Sequence, residues 1–211
     1  MVPAGKATEE TLMSIAELLD EGDILIDGGN SYYKDSIRRA EELKKRNISF
    51  LDIGTSGGIW GLKTGYCMMI GGDKNVFSKV EPLLKTLAPE NGYAHVGPHS
   101  AGHFVKMIHN GIEYALLQGY AEGFEIMNAK KEFNLDLRMI ANLWNHGSVV
   151  RSWLLELAEN AFQKDPKLDS VRGYVEDSGE GRWTVAEAIE LDVPAPAITL
   201  SLLERFRSRQ E

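Results

Sequence analysis

Twice in its first sixty residues the chain ends a short apolar run in glycine: "DILIDGGN" at 23–30 and "ISFLDIG" at 48–54, with the helical pattern "DSIRRAEELKKRN" at 35–47 between them. Strand, turn, helix and strand in that order form the βαβ rhythm, which commits a chain to a parallel sheet with helices laid on it. "EETLMSIAELL" (9–19) has helical spacing, and "GYCMMIGG" (65–72) and "YAHVG" (93–97) supply two further strands around the helical "NVFSKVEPLLKTLA" (75–88). Beyond about residue 100 the strand signals stop, and helical patterns continue through "IANLWN", "VVRSWLLELAENAF", "TVAEAIEL" and "AITLSLLERFRSR". The expected class is α/β followed by all-α, with a sheet domain over 1–100 and a helical domain over 101–211.

Charge narrows the partners. The 211 residues carry 31 acids against 23 bases, a formal net charge of -8. Such a chain offers no basic field for nucleic acid, and an anionic small ligand would have to be held by a few local cations. Cys67 is the single cysteine, so an intrachain disulfide is impossible and a reducing compartment fits. Its place in the apolar run "YCMMI" predicts a buried strand residue. No stretch approaches the 18 apolar residues of a membrane span, and "MVPAGKATEE" lacks the regions of a signal peptide. A cytoplasmic protein is expected.

The segment "HFVKMIHNGIEY" (103–114) is helical in pattern but expensive in composition. Lys106, Asn110 and Glu113 fall within about 60° of one another, since positions i, i+4 and i+7 share a helix face. Phe104, Ile108, Ile112 and Ala115 take the opposite side. A solvated polar face is one reading of this stripe. Against it, Asn110 and Gly111 together cost on the order of 1 to 1.5 kcal/mol of helix propensity relative to alanine, so something other than helix formation selects them. The loops "DGGNS" (27–31) and "GTSGG" (54–58) each follow a predicted strand, which puts both at the carboxyl edge of the sheet, where open α/β folds bind ligands. His99, His103 and His109 come without a carboxylate or cysteine at zinc-like spacing, and no metal site is expected.

Together "DGGNSYYKD", "GTSGG", "AGHFVKMIHNGIEY" and "GEGRWT" resemble, in order and spacing, the 6-phosphogluconate dehydrogenase family, and most closely its short bacterial form. The two glycine loops are shared more loosely with other β-hydroxyacid dehydrogenases. The resemblance implies a partial Rossmann-like domain followed by a helical substrate and oligomerisation domain, a homodimer or homotetramer, and NADP or NAD as cofactor. It implies oxidation of 6-phosphogluconate at its 3-hydroxyl, loss of CO2 and protonation of an enediol to ribulose 5-phosphate, a step of the pentose phosphate pathway. In that scheme Lys106 is the general base, its pKa drawn toward neutrality by burial, and Glu113 is the acid. Asn30, Ser56, Gly57, Gly58, His109 and Asn110 orient the substrate, and Tyr114, Arg182 and Arg205 stand where its phosphate is held, arginine's planar fork suiting that anion. Val2, Pro3, Ala4 and Asn30 would face the cofactor.

The sequence departs from the family pattern at two places. The G-x-G-x-x-G turn of a dinucleotide-binding domain is missing, and "MVPAG" corresponds to a point after the fourth strand of that domain, so the chain reads as a fragment. Where many members carry Lys-Gly-Thr-Gly-Lys-Trp-Thr, this chain has Ser178-Gly-Glu-Gly-Arg-Trp-Thr, which removes one cation and adds an anion near the expected phosphate. Two other readings stay open at this point: a dehydrogenase of another β-hydroxyacid, and a non-catalytic fragment that binds sugar phosphate or self-assembles.

Overall fold

The structure, a computed structural model, describes residues 1–210. In chain order the elements are α1 (Lys6–Ala16), β1 (Ile24–Asp27), α2 (Tyr33–Lys44), β2 (Ser49–Ser56), the single-turn α3 (Gly61–Thr64), β3 (Cys67–Gly72), α4 (Lys74–Leu87) and β4 (Tyr93–Gly97). The rest is helical: α5 (Ala101–Ala129), α6 (Leu137–Asn145), α7 (Trp153–Lys164), α8 (Glu180–Glu190) and α9 (Pro196–Arg207).

The four strands form one sheet in the order β1-β2-β3-β4. β1 with β2 and β3 with β4 run parallel, but β2 and β3 run antiparallel, with Leu51 opposite Gly72 and Ser56 opposite Cys67. The sheet is therefore mixed, where the sequence pattern predicts an all-parallel one. The reason is the length of the link: residues 57–66 are fewer than the dozen or so that a parallel crossover requires, so the chain can only turn back.

Two compact units divide the chain. The first comprises Met1–Asn110 with Arg182–Glu187, and the second Gly111–Gly181 with the chain from Ala188 onward. In the first, consecutive residues of β2 feed opposite faces: Phe50 packs with Leu12, Ala16, Leu25, Leu43 and Ile48, while Leu51 packs with Ile53, Met68, Ile70 and Leu84. A strand covered on both faces reads as a near-continuous apolar run, which "FLDI" shows with Asp52 as its one polar member. The core of the second unit is Phe124, Ala141, Leu155 and Phe162.

Some helix starts carry side-chain caps. Asp73 accepts the N–H groups of Asn75 and Val76 at the head of α4, and Ser152 accepts that of Leu155 at the head of α7. That cap explains why α7 begins at Trp153 although the helical pattern extends back to Val149, which is fully exposed. Cys67, expected to be buried, is exposed: it occupies the first position of β3, and burial begins with Met68.

Candidate functional site

In the first unit the polar stripe of α5 is the buried one. Lys106 is 4% exposed, Asn110 9% and His103 1%, whereas Ile112, drawn by the pattern to the apolar side, is 51% exposed in the second unit. The reading of a solvated polar face fails. A lysine is almost never buried without a partner, and the Lys106 ammonium donates to Asn110 Oδ1, one helical turn on.

That amide is shared. His109 Nδ1 lies 3.0 Å from Asn110 Oδ1, and its Nε2 lies 3.3 Å from Ser56 Oγ. Because a carbonyl oxygen only accepts, Nδ1 carries the proton in this arrangement and Nε2 accepts from the Ser56 hydroxyl. The chain Ser56, His109, Asn110, Lys106 thus runs from the "GTSGG" loop to the buried amine. The loop's own shape needs glycine: Gly57 and Gly58 have φ of 134° and 52°, in the half of backbone space that side chains rarely enter.

The "DGGNS" loop is tied to the same place. Asn30 Oδ1 accepts the Thr55 N–H at 3.2 Å, and the Thr55 hydroxyl donates to Gly28 O at 3.3 Å. At the loop's start Asp27 accepts the Gly29 N–H at 3.0 Å and the Ser31 hydroxyl at 2.7 Å. Arg39, 1% exposed, donates to Asp27 at 3.2 Å and to Glu9 at 2.9 Å. Bonded first by Arg38 and opposed by partial burial, the Glu9 carboxyl is held down at about 2. Val2, Pro3 and Ala4 are exposed, and the Pro3 carbonyl accepts the Thr8 hydroxyl at 2.8 Å.

Sequence reasoning gave "GEGRWT" a single role, that of a phosphate loop, and missed the packing of the residues beyond its arginine. Within the first unit Trp183 packs on Tyr32 with ring centroids 4.8 Å apart, the Thr184 hydroxyl donates to Met107 O at 2.8 Å, and the Tyr33 hydroxyl donates to Glu187 at 2.5 Å. Burial first, and then that carboxylate, push the Tyr33 phenol up to about 12. Arg182 itself is exposed. The aromatic pair "YY" at 32–33 was the available signal for these contacts, since buried tyrosines need a partner for the hydroxyl.

The second unit holds the other expected phosphate residues. The Arg205 guanidinium lies 3.5 Å over the centroid of the Tyr114 ring and donates to Glu176 O at 2.7 Å. Tyr114 Oη accepts the Ser178 N–H at 3.2 Å, and a Cβ on Gly181 would lie 2.4 Å from the Tyr114 ring. Tyr114, Ser178 and Arg205 are thus brought together. Glu180 does not stand open beside them: it is buried and accepts the Ser178 hydroxyl at 2.9 Å, so the anion expected to oppose a phosphate is turned inward. Glu113 is half-buried on the second unit's part of α5.

Comparison with known proteins identifies the family of the chain. Residues 1–97 match a family model described as the NAD binding domain of 6-phosphogluconate dehydrogenase, and residues 102–211 match the 6-phosphogluconate dehydrogenase C-terminal domain. An NAD(+)-dependent, decarboxylating 6-phosphogluconate dehydrogenase of Haloferax volcanii is 45% identical over 213 aligned residues, covering all of this chain and 70% of that protein. One of the same description from Bacillus subtilis is 39% identical, covering 99% of this chain and 47% of that protein. Among solved structures, Plasmodium falciparum 6-phosphogluconate dehydrogenase, studied in apo form and with NADP+ or 6-phosphogluconate, superposes with a TM-score of 0.88 at 34% identity, over 99% of this chain and 47% of that one. A Salmonella typhimurium 3-hydroxyisobutyrate dehydrogenase, 20% identical with a TM-score of 0.78, shares the fold. With both halves of its length matched and the lysine of its long helix buried against an asparagine, the chain belongs to the 6-phosphogluconate dehydrogenase family of nicotinamide-dependent oxidoreductases.

Proposed function

We propose that the protein takes part in the oxidative decarboxylation of 6-phosphogluconate to ribulose 5-phosphate and CO2, the pentose phosphate reaction, in the cytoplasm. One observation carries this reading: α5 buries a lysine against an asparagine whose amide oxygen is shared with a histidine. A general base has to stand within hydrogen-bond reach of the proton it takes, and a lysine held in one place by its neighbours meets that need.

Lys106 removes the proton of the 3-hydroxyl as that carbon is oxidised. The resulting ammonium then donates to the new carbonyl oxygen, which draws in the electron pair released when the carboxylate leaves as CO2. Glu113, seven residues on and on the same face of α5, delivers a proton to carbon 1 of the five-carbon enediol. Asn110 holds the Lys106 ammonium, while Ser56, Gly57, Gly58, His109 and Asn30 orient the sugar hydroxyls. Tyr114, Arg182 and Arg205 take the phosphate, Glu180 being withdrawn from it.

Val2, Pro3, Ala4 and Asn30 would hold the nicotinamide end of NAD or NADP, which supplies the hydride acceptor. The fit is local: a Cβ on Gly29 would lie 3.4 Å from Val2 O, so the N-terminal strip and the "DGGN" loop form one narrow backbone surface that a flat ring can approach. The family resemblance is what supports a homodimer or homotetramer.

The test is a turnover assay on the purified chain with 6-phosphogluconate and either nucleotide, monitored by reduced-cofactor absorbance, with a calorimetric titration of 6-phosphogluconate beside it. Reduction in one nucleotide series supports the reading and fixes the cofactor. Absence of both turnover and heat of binding would overturn it.

A further inference from the structure

The seat of α5 on the sheet is made by one carboxylate and a row of glycines. Asp52 lies in the middle of β2 and is 0% exposed, deeper than any other acid among the described residues. Its Oδ1 accepts the Ser100 N–H at 2.7 Å, and its Oδ2 accepts the His103 N–H at 2.9 Å. The His103 N–H belongs to the opening turn of α5, whose first N–H groups have no partner inside the helix, and the Ser100 N–H to the residue just before it. Ser100, at the helix start, has φ of 75°. A cap normally comes from the residue just before its helix. Here it comes from a strand 48 residues earlier in the chain.

Two residues along β2, on the same face, Gly54 meets the same helix. A Cβ there would lie 2.3 Å from Lys106 Cβ and 2.6 Å from Gly102 O. On the helix side, a Cβ on Gly102 would lie 2.4 Å from Asp52 O and Met69 O. The backbones of strand and helix therefore touch, and the contact has two points. At one, the carboxylate holds the helix end. At the other, the absence of a side chain admits the stem of Lys106.

We infer that Asp52 is a positioning residue for Lys106: by capping the first turn of α5 from within β2, it fixes how far along the strand that helix sits and so where the Lys106 amine stands. The ionised carboxylate suits this role because its two oxygens each accept an N–H of the helix start, whose dipole favours a negative charge. An amide in the same place would turn an NH2 group toward one of those donors. The inference rests on the reading of Lys106 as the base, and its geometry stands without it.

The experiment compares wild type with Asp52→Asn in two ways. Competitive acetylation of folded protein, read by mass spectrometry, gives the reactivity of the buried Lys106 relative to exposed Lys45 and Lys63. Steady-state assays with 6-phosphogluconate give kcat and both KM values. The expected result is a rise of at least about threefold in Lys106 labelling with the exposed lysines unchanged, as local opening predicts. It is accompanied by a fall in kcat on the order of 10 to 100-fold, with both KM values held, as misplacement by about 1 Å predicts. A general loss of structure would instead raise labelling at half-buried Lys34 as well and shrink the folded fraction. Unchanged Lys106 labelling, or an activity loss carried by KM, would overturn the inference. If Asp52→Asn does not fold, Asp52→Ser, which keeps one acceptor oxygen, is read in the same way. A wild-type chain that neither turns over nor binds 6-phosphogluconate would remove the proposed function and leave the labelling to decide this point.

Discussion

The two parts of α5 invert each other. Up to Asn110 the helix buries its polar residues, with His103 and Lys106 inside and Val105 37% exposed. From Gly111 on it exposes apolar ones, Ile112 at 51%, Leu116 at 48% and Ile126 at 72%. Helical periodicity is blind to this difference, because it reports which residues share a side and not which side is covered. Polar residues buried at a cost in solvation are an expense that folding alone would not select, whereas single exposed apolar side chains are ordinary on a protein surface. Only the buried end therefore points to chemistry.

The widest separation between the two parts is predicted for charge deletion at the buried end. Lys106→Ala should lower kcat by about 10³-fold or more, the upper part of the range for removing a general base. Retained turnover in the absorbance assay would leave the buried stripe without its chemical meaning.

Glu113 carries the comparison across the Asn110–Gly111 division, since it is half-buried and belongs to the second part. Glu113→Gln should slow formation of ribulose 5-phosphate by about 10²-fold while cofactor reduction suffers less, because protonation of the enediol comes after the redox step. Parallel measurement of the two products decides it. Equal losses would make Glu113 a binding residue and confine the chemistry to the buried part.

Much of the fold and site is legible in the sequence, and the remainder is hidden for identifiable causes. "DGGN", "GTSGG" and "KMIHNGIEY" announce themselves because each spends glycine or asparagine where a cheaper residue would do. Strand direction between β2 and β3 is hidden, since an apolar run looks the same in either sense and only the shortness of 57–66 decides. Cys67 misleads because apolar neighbours stand in for burial only in a strand's interior. Asp52 passes as one letter of a strand, its partners lying 48 and 51 residues away. Tertiary capping leaves no local pattern.

A steric change sharpens the account of how the buried end is held. Gly54→Ala places a methyl 2.3 Å from Lys106 Cβ, so helix and strand must separate. Overpacking of this kind costs about 1 to 3 kcal/mol, readable by urea denaturation. Activity should fall beyond what the folded fraction explains. A variant as stable and active as wild type would mean that α5 tolerates a shift along β2.

The smallest effect tests whether burial of a polar group marks chemistry by itself. Arg39 is as buried as His103, yet its partners Glu9 and Asp27 give it a structural task, joining α1 and α2 to the start of the "DGGN" loop. Glu9 also accepts from Arg38 at 2.6 and 2.8 Å, and its carboxyl is lowered from 4.5 to about 2. A carboxyl depressed on folding stabilises the fold fully above its unfolded value and loses that contribution as pH falls toward its folded value. Melting temperatures of wild type and Glu9→Gln should therefore differ by a constant amount from pH 7 down to about 4.5 and converge as pH approaches 2. Added salt should narrow the gap only in part, since Arg38 is half-exposed and screened while Arg39 is not. A gap that persists at pH 2 would mean that Glu9 acts through packing, and the cluster around Arg39 would then hold the loop by shape more than by charge.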